Sequence, residues 1–322
     1  MKTYNDISLK PYNTFGIDVK ARRLVELEPA DEVPAVEAPY LVIGAGSDMV
    51  FTKDYGGTVV RLADVADVAE ADGGLVTAWG GMTMDRLVEW TLERGLYGLE
   101  NLSAIPGTVG AAVVQNVGAY GVEAKDVVER VETVSLADGQ RRTYTNADCR
   151  FGYRTSRFKQ GAGNELIVRV TFRLRREFVP NLTYKALEGV PHDTAWQLRQ
   201  AITDMRWAKL PRPEENGSAG SFFKNPVVDE EAYNRLKGEH PDMPDAHPTS
   251  DMEYKLSAGW LIDKAGWKGK TMGGAGVWPK QALVLYNAGG CTGDEVVALA
   301  DAIVDDVRRR FGITLVPEAI II

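Results

Sequence analysis

Ile105-Pro106-Gly107-Thr108-Val109-Gly110-Ala111-Ala112, followed by Gln115-Asn116-Val117-Gly118-Ala119-Tyr120-Gly121, is the stretch on which the reading of the fold turns. Small residues let backbone N–H groups approach an anion without side-chain obstruction, and a proline stiffens the turn. Upstream, the compact apolar strand Tyr40–Ile43 runs into a second small-residue loop, Gly44-Ala45-Gly46-Ser47-Asp48. That loop alone is equally a plain turn. Met49 stands where G-x-G-x-x-G needs its third glycine, and no Gly-Lys-Ser/Thr follows. Two such loops with little acidic charge point to a pyrophosphate and an extended cofactor lying between them. Tight packing of helix on sheet is the competing reading.

Strands are expected at 58–62, 75–79, 127–136 and 166–174. In the last, Val168, Val170, Phe172 and Leu174 alternate with Arg169, Thr171 and Arg173. A helix is expected from the cap Thr83 to the stop at Gly95, and another from the cap Asp193 to Leu210-Pro211-Arg212-Pro213, the best linker in the chain. Beyond it the sequence predicts a short helix at 257–264, a strand at 282–286 and a long helix opened by the capping box Thr292-x-x-Glu295. Val296, Leu299, Ala300, Ile303, Val304 and Val307 form its buried face and Gly312 ends it. Residues 313–322 read as a strand interrupted by Pro317-Glu318. The class is α+β with mixed sheets.

The chain has 322 residues, 44% of them hydrophobic, and a formal charge of −8, which argues against a nucleic-acid binder. An anion site must then be built locally from Arg, Lys and backbone N–H groups. Cys149 and Cys291 have no metal-ligand spacing, and His192, His240 and His247 form no cluster with them, so no metal is expected. No apolar run approaches the roughly 20 residues that span a bilayer. With no apolar leader at the N-terminus, these features point to the cytoplasm.

Three further segments carry chemistry. Phe151-Gly152-Tyr153-Arg154-Thr155-Ser156-Arg157 offers guanidinium forks suited to a carboxylate, or a solvated face. Gly220-Ser221-Phe222-Phe223-Lys224-Asn225-Pro226 presents a hydroxyl beside two aromatics. It is no G-x-S-x-G elbow, so Ser221 suits proton donation better than attack, with a turn anchored by phenylalanines as the alternative. Val316-Pro317-Glu318 places a carboxylate in an apolar run, where it must be exposed, paired or functional.

Taken together these segments resemble the bacterial UDP-N-acetylenolpyruvoylglucosamine reductases of peptidoglycan synthesis. The likeness runs from Asn13-Thr14-Phe15-Gly16 through both glycine loops, Tyr153-Arg154, Lys209-Leu210-Pro211, Gly220–Pro226 and Gln281–Leu285 to Pro317-Glu318. Gly118–Gly121 and Tyr184 resemble the longer subclass, in which a tyrosine loop closes over the substrate. Ala45 and Asp48 stand where that family usually has Gly and Asn, and Ala319-Ile320 replace its usual Val-Arg.

The resemblance implies an α+β fold: a two-part FAD-binding module of the vanillyl-alcohol-oxidase (PCMH) type, plus a C-terminal α+β substrate-binding domain. Its parts would be 1–65 (with 313–322 a candidate to rejoin it), 66–210 and 211–312. It implies non-covalent FAD, NADPH as co-substrate, and conversion of UDP-N-acetylglucosamine enolpyruvate to UDP-N-acetylmuramate by a monomer. FAD contacts would come from Gly44, Ala45, Gly46, Ser47, Asp48, Pro106, Gly107, Thr108, Gly110, Gln115, Asn116 and Gly118. Arg154, Ser221 and Glu318 would be catalytic. Tyr120, Tyr153, Tyr184, Lys209, Asn225 and Gln281 would bind substrate. A flavin oxidase with another substrate and a non-catalytic nucleotide-sugar binder are the alternatives.

Overall fold

The computed structural model describes residues 1–161, 164–246, 248 and 252–322, so His247 lies outside the described residues. By its contacts the chain divides into two compact units: Met1–Ser8, Lys20–Ala45 and Tyr55–Ala208 in the first, and Leu9–Val19, Gly46–Asp54 and Lys209–Ile322 in the second.

In the first unit Lys2–Ser8, Lys20–Leu27, Tyr55–Leu62 and Tyr40–Ile43 line up in that order, the last three mutually parallel. A second sheet, all antiparallel, runs Arg141–Thr145, Val128–Ser135, Glu165–Arg173, Leu75–Trp79, Val68–Ala71. Leu166 and Val168 join Val25, Val60, Leu62 and Trp79 in one core, whereas Ile167, Val170 and Phe172 join Leu87, Val88, Val109 and Val113 in another. This sheet is therefore buried on both faces at 166–168, where the alternation lapses. The polar face persists further along: Thr171 Oγ1 meets Thr77 Oγ1 at 2.8 Å, and Arg173 pairs with Glu129.

Helix Met84–Leu92 begins after Thr83 as expected, but no side-chain bond caps it; the Thr83 N–H goes to Asp64 Oδ1 instead. Gly95, at φ +64°, closes it, with Leu96 N donating to Thr91 O. Helix Ala195–Lys209 is opened by Thr194, not Asp193. Gln197 N donates to Thr194 Oγ1 at 3.2 Å and Thr194 N to Gln197 Oε1 at 3.3 Å, a reciprocal cap that Asp193 is one residue too early to make.

In the second unit Ser218–Ser221, Val284–Asn287, Ala275–Val277 and Thr271–Met272 form an antiparallel sheet, and helix Gly293–Phe311 packs on it. Its capping box and its stop at Gly312 stand as read. Asp306 was missed on its buried face: it accepts from Trp267 Nε1 and Arg310 Nε and pairs with Arg309. Residues 313–322 are not one strand. Only Ile320–Ile321 is extended in a ladder, parallel to Met49–Val50; Pro317 brings no N–H, and Phe223 bridges to it alone.

Residues 9–19 and 46–54, expected in the first part, group with the C-terminal segment because their hydrogen bonds lie there. Thr14 N donates to Gly46 O, Ser218 N to Thr14 O, and Asn287 Nδ2 to Phe15 O. Asn13, buried, holds this turn by bonds to Leu9 O and to both backbone groups of Ile17.

Gly80 seats helix Val109–Gln115 on its sheet. Gly110 N donates to Gly80 O, and a Cβ on Gly80 would sit 2.2 Å from Ile167 O. Gly80→Ala is expected to cost about 1–3 kcal/mol by overpacking, measured as a lower urea midpoint at unchanged m-value. The Arg310 bond, then Arg309 and Trp267, hold the Asp306 carboxyl below its ordinary pKa. A depressed folded-state pKa gives stability that is full above the unfolded value and is lost as pH falls through the folded one. Asp306→Asn should therefore lower stability at pH 7 and flatten its decline below about pH 4, read from urea titrations across pH.

Candidate active site

The two glycine-rich segments touch within the first unit. A Cβ on Gly44 would lie 2.7 Å from Thr108 Oγ1 and 3.0 Å from Ala111 Cβ. Thr108 caps helix Val109–Gln115 by accepting from Ala111 N at 3.3 Å. Gly107, at φ +135°, supplies the carbonyl that receives Met84 N. Neighbouring N–H groups are already used: Val109 donates to Met82 O and Gly110 to Gly80 O. Glycine at 110 thus serves close packing, whatever it adds to a ligand. Asn116 is similar. It ends the helix at φ +43°, and its side-chain amide is committed to Glu123 Oε2, Gly152 O and Lys125 N. Gln115 Oε1 receives Lys159 Nζ.

Two tight hairpins carry the aromatic and cationic candidates of this unit. Gly118–Ala119 pairs with Val122–Glu123 across Tyr120-Gly121, whose φ values are +50° and +86°. This is the two-residue turn that favours Asn-Gly, so a tyrosine at its first position is unusual. Gly152 and Thr155 exchange backbone bonds of 3.0 and 3.2 Å across Tyr153-Arg154, with Arg154 at φ +54°. The second hairpin meets the first through Arg154 Nη2, which donates to Gly118 O at 3.0 Å; its guanidinium lies 5.3 Å from the Tyr153 ring centre. Buried Ser156 fixes the loop behind, donating to Val114 O and accepting from Phe158 N. Tyr184 packs edge-on against Tyr120 at 5.5 Å.

Ser221 and Glu318 belong to the second unit. Between Ser218 and Ser221 the ladder to Val284–Asn287 shifts register, and Gly220 sits at φ +67°. This bulge re-aims the strand and leaves Ser221 exposed, while Phe222 and Phe223 are buried and pack edge-on at 5.1 Å. Glu318 N donates to Phe222 O at 2.7 Å and Lys224 N to Val316 O at 2.9 Å. Phe222 and Glu318, 96 positions apart in the chain, are thereby held side by side along the backbone, with Ser221 next in sequence to Phe222.

Thr14 ties this segment to the first glycine loop. Its N–H reaches Gly46 O at 3.1 Å and its hydroxyl Ser218 O at 2.6 Å. A Cβ on Gly46, itself at φ +64°, would fall 2.1 Å from Tyr12 O. Sequence reasoning quoted Thr14 only as part of a motif; no local signal showed what it ties. The same loop ends beside the C-terminus, where Ile320 N donates to Asp48 O, so two of the departures from the family pattern are neighbours. Lys209, Asn225 and Gln281 gather around the 258 and 278 turns. Asn225 Oδ1 accepts from Ala258 N, Gln281 Oε1 lies 3.1 Å from where a Cβ on Gly259 would be, and Lys209 O accepts from Trp278 Nε1.

An FAD-binding domain model matches residues 30–145, and the model of the UDP-N-acetylenolpyruvoylglucosamine reductase C-terminal domain matches 212–322. The UDP-N-acetylenolpyruvoylglucosamine reductase of Pseudomonas aeruginosa is 49% identical, covering 97% of this chain and 96% of that protein. The chain belongs to the UDP-N-acetylenolpyruvoylglucosamine reductase family. A family member from Azoarcus sp. (strain BH72) is 43% identical over 98% of this chain and 97% of its own. The crystal structure of the reductase from Thermus caldophilus, 26% identical, covers 99% of this chain and 98% of that one with a TM-score of 0.72. The chain is thus an oxidoreductase of α+β class with an FAD-binding domain, as the family resemblance implied.

A non-glycine residue in the left-handed region costs about 1–2 kcal/mol. At Arg154, Gly should therefore be more stable than Ala by about 1 kcal/mol, although both remove the guanidinium. Equal urea midpoints for the two variants would mean that the hairpin is not strained there.

Proposed function

We propose that this protein reduces UDP-N-acetylglucosamine enolpyruvate to UDP-N-acetylmuramate, with NADPH as hydride source and FAD as carrier, in peptidoglycan precursor synthesis. The reading rests above all on one observation: the backbone bond from Glu318 N to Phe222 O joins the segment of exposed Ser221 to that of Glu318, in a chain of the family whose members are named for this reduction. The glycine segments suit FAD in that their small residues keep the backbone accessible to an anion. Gly44, Ala45, Gly46, Ser47 and Asp48 would hold it together with Pro106, Gly107, Thr108 and the segment to Gly118. Binding is non-covalent, since both cysteines are buried free thiols whose pKa burial raises to about 11, which keeps them protonated and unreactive.

Bound FAD, reduced by NADPH, supplies the hydride for C3 of the enolpyruvyl group. The alkene of an enol ether is electron-rich and resists hydride, so charge must be drawn into its carboxylate. Arg154 binds that carboxylate with its guanidinium fork, and the turn geometry explains why the arginine is worth its strain. Glu318 stabilises the charge that develops as the carboxylate becomes enolate-like. Ser221 donates the proton to C2, completing the lactyl ether. Tyr120, Tyr153, Tyr184, Lys209, Asn225 and Gln281 bind the UDP-sugar, the lysine as a compact charge for phosphate. We assign 1–65, 66–210 and 211–312 as the two FAD-binding parts and the substrate part in functional terms. One chain carries every assigned residue, so a monomer suffices, and we place it in the cytoplasm.

Purified protein is expected to be yellow, to bleach anaerobically with NADPH, and to recover its colour on adding the enolpyruvyl UDP-sugar. Ser221→Ala should slow the recovery step by about 10²–10⁴-fold while bleaching proceeds. Equal loss of both steps removes Ser221 from proton donation; a colourless protein that still binds the UDP-sugar turns the reading into that of a binding protein.

A further inference from the structure

Glu318 is held from both sides, and the two holds differ in kind. On its N-terminal side the backbone is tied to the Ser221 segment, with Lys224 N donating to Val316 O at 2.9 Å and Glu318 N to Phe222 O at 2.7 Å. On its C-terminal side residues 320–322 lie along the segment that follows the first glycine loop. Ile320 N donates to Asp48 O and Ile322 N to Val50 O, both at 2.9 Å, in a parallel ladder that pairs Ile320 with Met49 and Ile321 with Val50. A two-stranded pair this short is marginal by itself. Burial does little to hold it, since Ile320 and Ile321 are each 43% exposed. Thr52 closes it: its N–H and its hydroxyl both donate to Ile322 O, at 2.7 and 2.8 Å.

The partner strand is the fixed member of this pair. Met49, Val50 and Phe51 are buried. A Cβ on Gly293, the first residue of helix Gly293–Phe311, would fall 2.0 Å from Phe51 O, so the start of that helix is pressed onto the strand. Of the two runs, 320–322 has less to keep it in place, and Thr52 belongs to the run that does not move. Buried Ala319 is the one residue between the two holds. A slip of 320–322 would therefore reach the backbone of Glu318 across a single residue. With both sides pinned, the carboxylate starts from a fixed point.

We propose that Thr52 is a positioning residue for Glu318, holding residues 320–322 on the strand after the first glycine loop and so fixing where the Glu318 carboxylate stands. This rests on the reading of Glu318 as the group that stabilises the charge developing on the enolpyruvyl carboxylate. Such stabilisation depends on groups set in place before the reaction, and a misplacement of about 1 Å can cost about 10²-fold in rate. Thr52 acts through Ile322 O and the ladder, not on the substrate itself. Its loss should therefore be felt in the step that uses Glu318 and not in the reduction of the flavin.

The test is single-turnover kinetics on flavin-loaded protein: anaerobic bleaching by NADPH, then recovery of colour on adding the enolpyruvyl UDP-sugar. Thr52→Val removes the hydroxyl donor and keeps the branched shape. It is expected to bleach at the wild-type rate and to recover about three- to twentyfold more slowly. Thr52→Ser, which keeps the donor, should restore recovery. In a Glu318→Gln background Thr52→Val should add little further slowing, because the carboxylate it serves is gone. Should Thr52→Val not fold, Ile322→Pro, which deletes the N–H donated to Val50 O, is expected to show the same split between the two steps. Recovery at the wild-type rate in a folded variant overturns the assignment, as does equal slowing of both steps or an undiminished effect in the Glu318→Gln background. A wild type that bleaches yet never recovers overturns the functional reading, and this assignment with it, before any substitution is made.

Discussion

Thr14 is the tie on which the second unit depends. One short residue bonds Gly46 with its N–H, Ser218 with its hydroxyl, and Ser218 again with its carbonyl. It thereby joins three pieces of chain, 9–19, 46–54 and 209–322, that have no local reason to meet. Asn13 keeps the Thr14 turn in shape from inside, and Asn287 holds Phe15 from the opposite strand. Each bond is worth only about 1 kcal/mol net, but leaving such buried groups unpaired costs more than the bonds gain. The Gly220 bulge that exposes Ser221 starts from Ser218, so the aim of the hydroxyl rests on this tie.

The first unit works by strain. Ala104, Asn116, Tyr120 and Arg154 all adopt positive φ without being glycine. Asn116 is the least surprising, since asparagine tolerates this region and here ends a helix. Arginine and tyrosine at hairpin positions that favour glycine or asparagine need another explanation. Both side chains project from turns whose backbone is fixed by paired bonds, and each turn is packed against the other through Arg154 and Gly118. A side chain that pays for a poor backbone conformation is retained for what it does at that place, which is the inference that observed strain licenses.

What the sequence made legible was what is local and periodic. The 75–79 strand, the stop at Gly95 and the Thr292 capping box each rest on signals within a few residues, and each stands in the structure. Failures came where a second segment decided the outcome. Thr83 does stand at the N-cap, but its side chain makes no cap bond, and its N–H is held by Asp64 from 19 positions away. Asp306 was absent from the buried face read for a helix whose apolar stripe was plain, because the Trp267 that bonds it comes from another turn. The run after Gly312 read as a strand broken at Pro317-Glu318, but a ladder needs a neighbour, and only its Ile320–Ile321 end finds one in Met49–Val50. Thr14 stood within a quoted motif, but nothing local marked what it ties.

Glycine shows the same limit within the site itself. Gly44, Gly46 and Gly110 read alike in the sequence, as clearance for a ligand or as clearance for packing. The structure separates them. Gly110 has its N–H bonded to Gly80 and its Cα turned to the sheet, so packing accounts for it. Gly44 lies against Thr108, where the two glycine-rich segments meet, and Gly46 turns the chain over Tyr12 in a conformation that only glycine takes without strain. Close approach of another part of the chain is what these loops have in common. A phosphate-binding loop and a packing contact both require it, so the sequence motif could not tell them apart. What distinguishes them is where each N–H group is spent, and that is settled by partners far away in the chain.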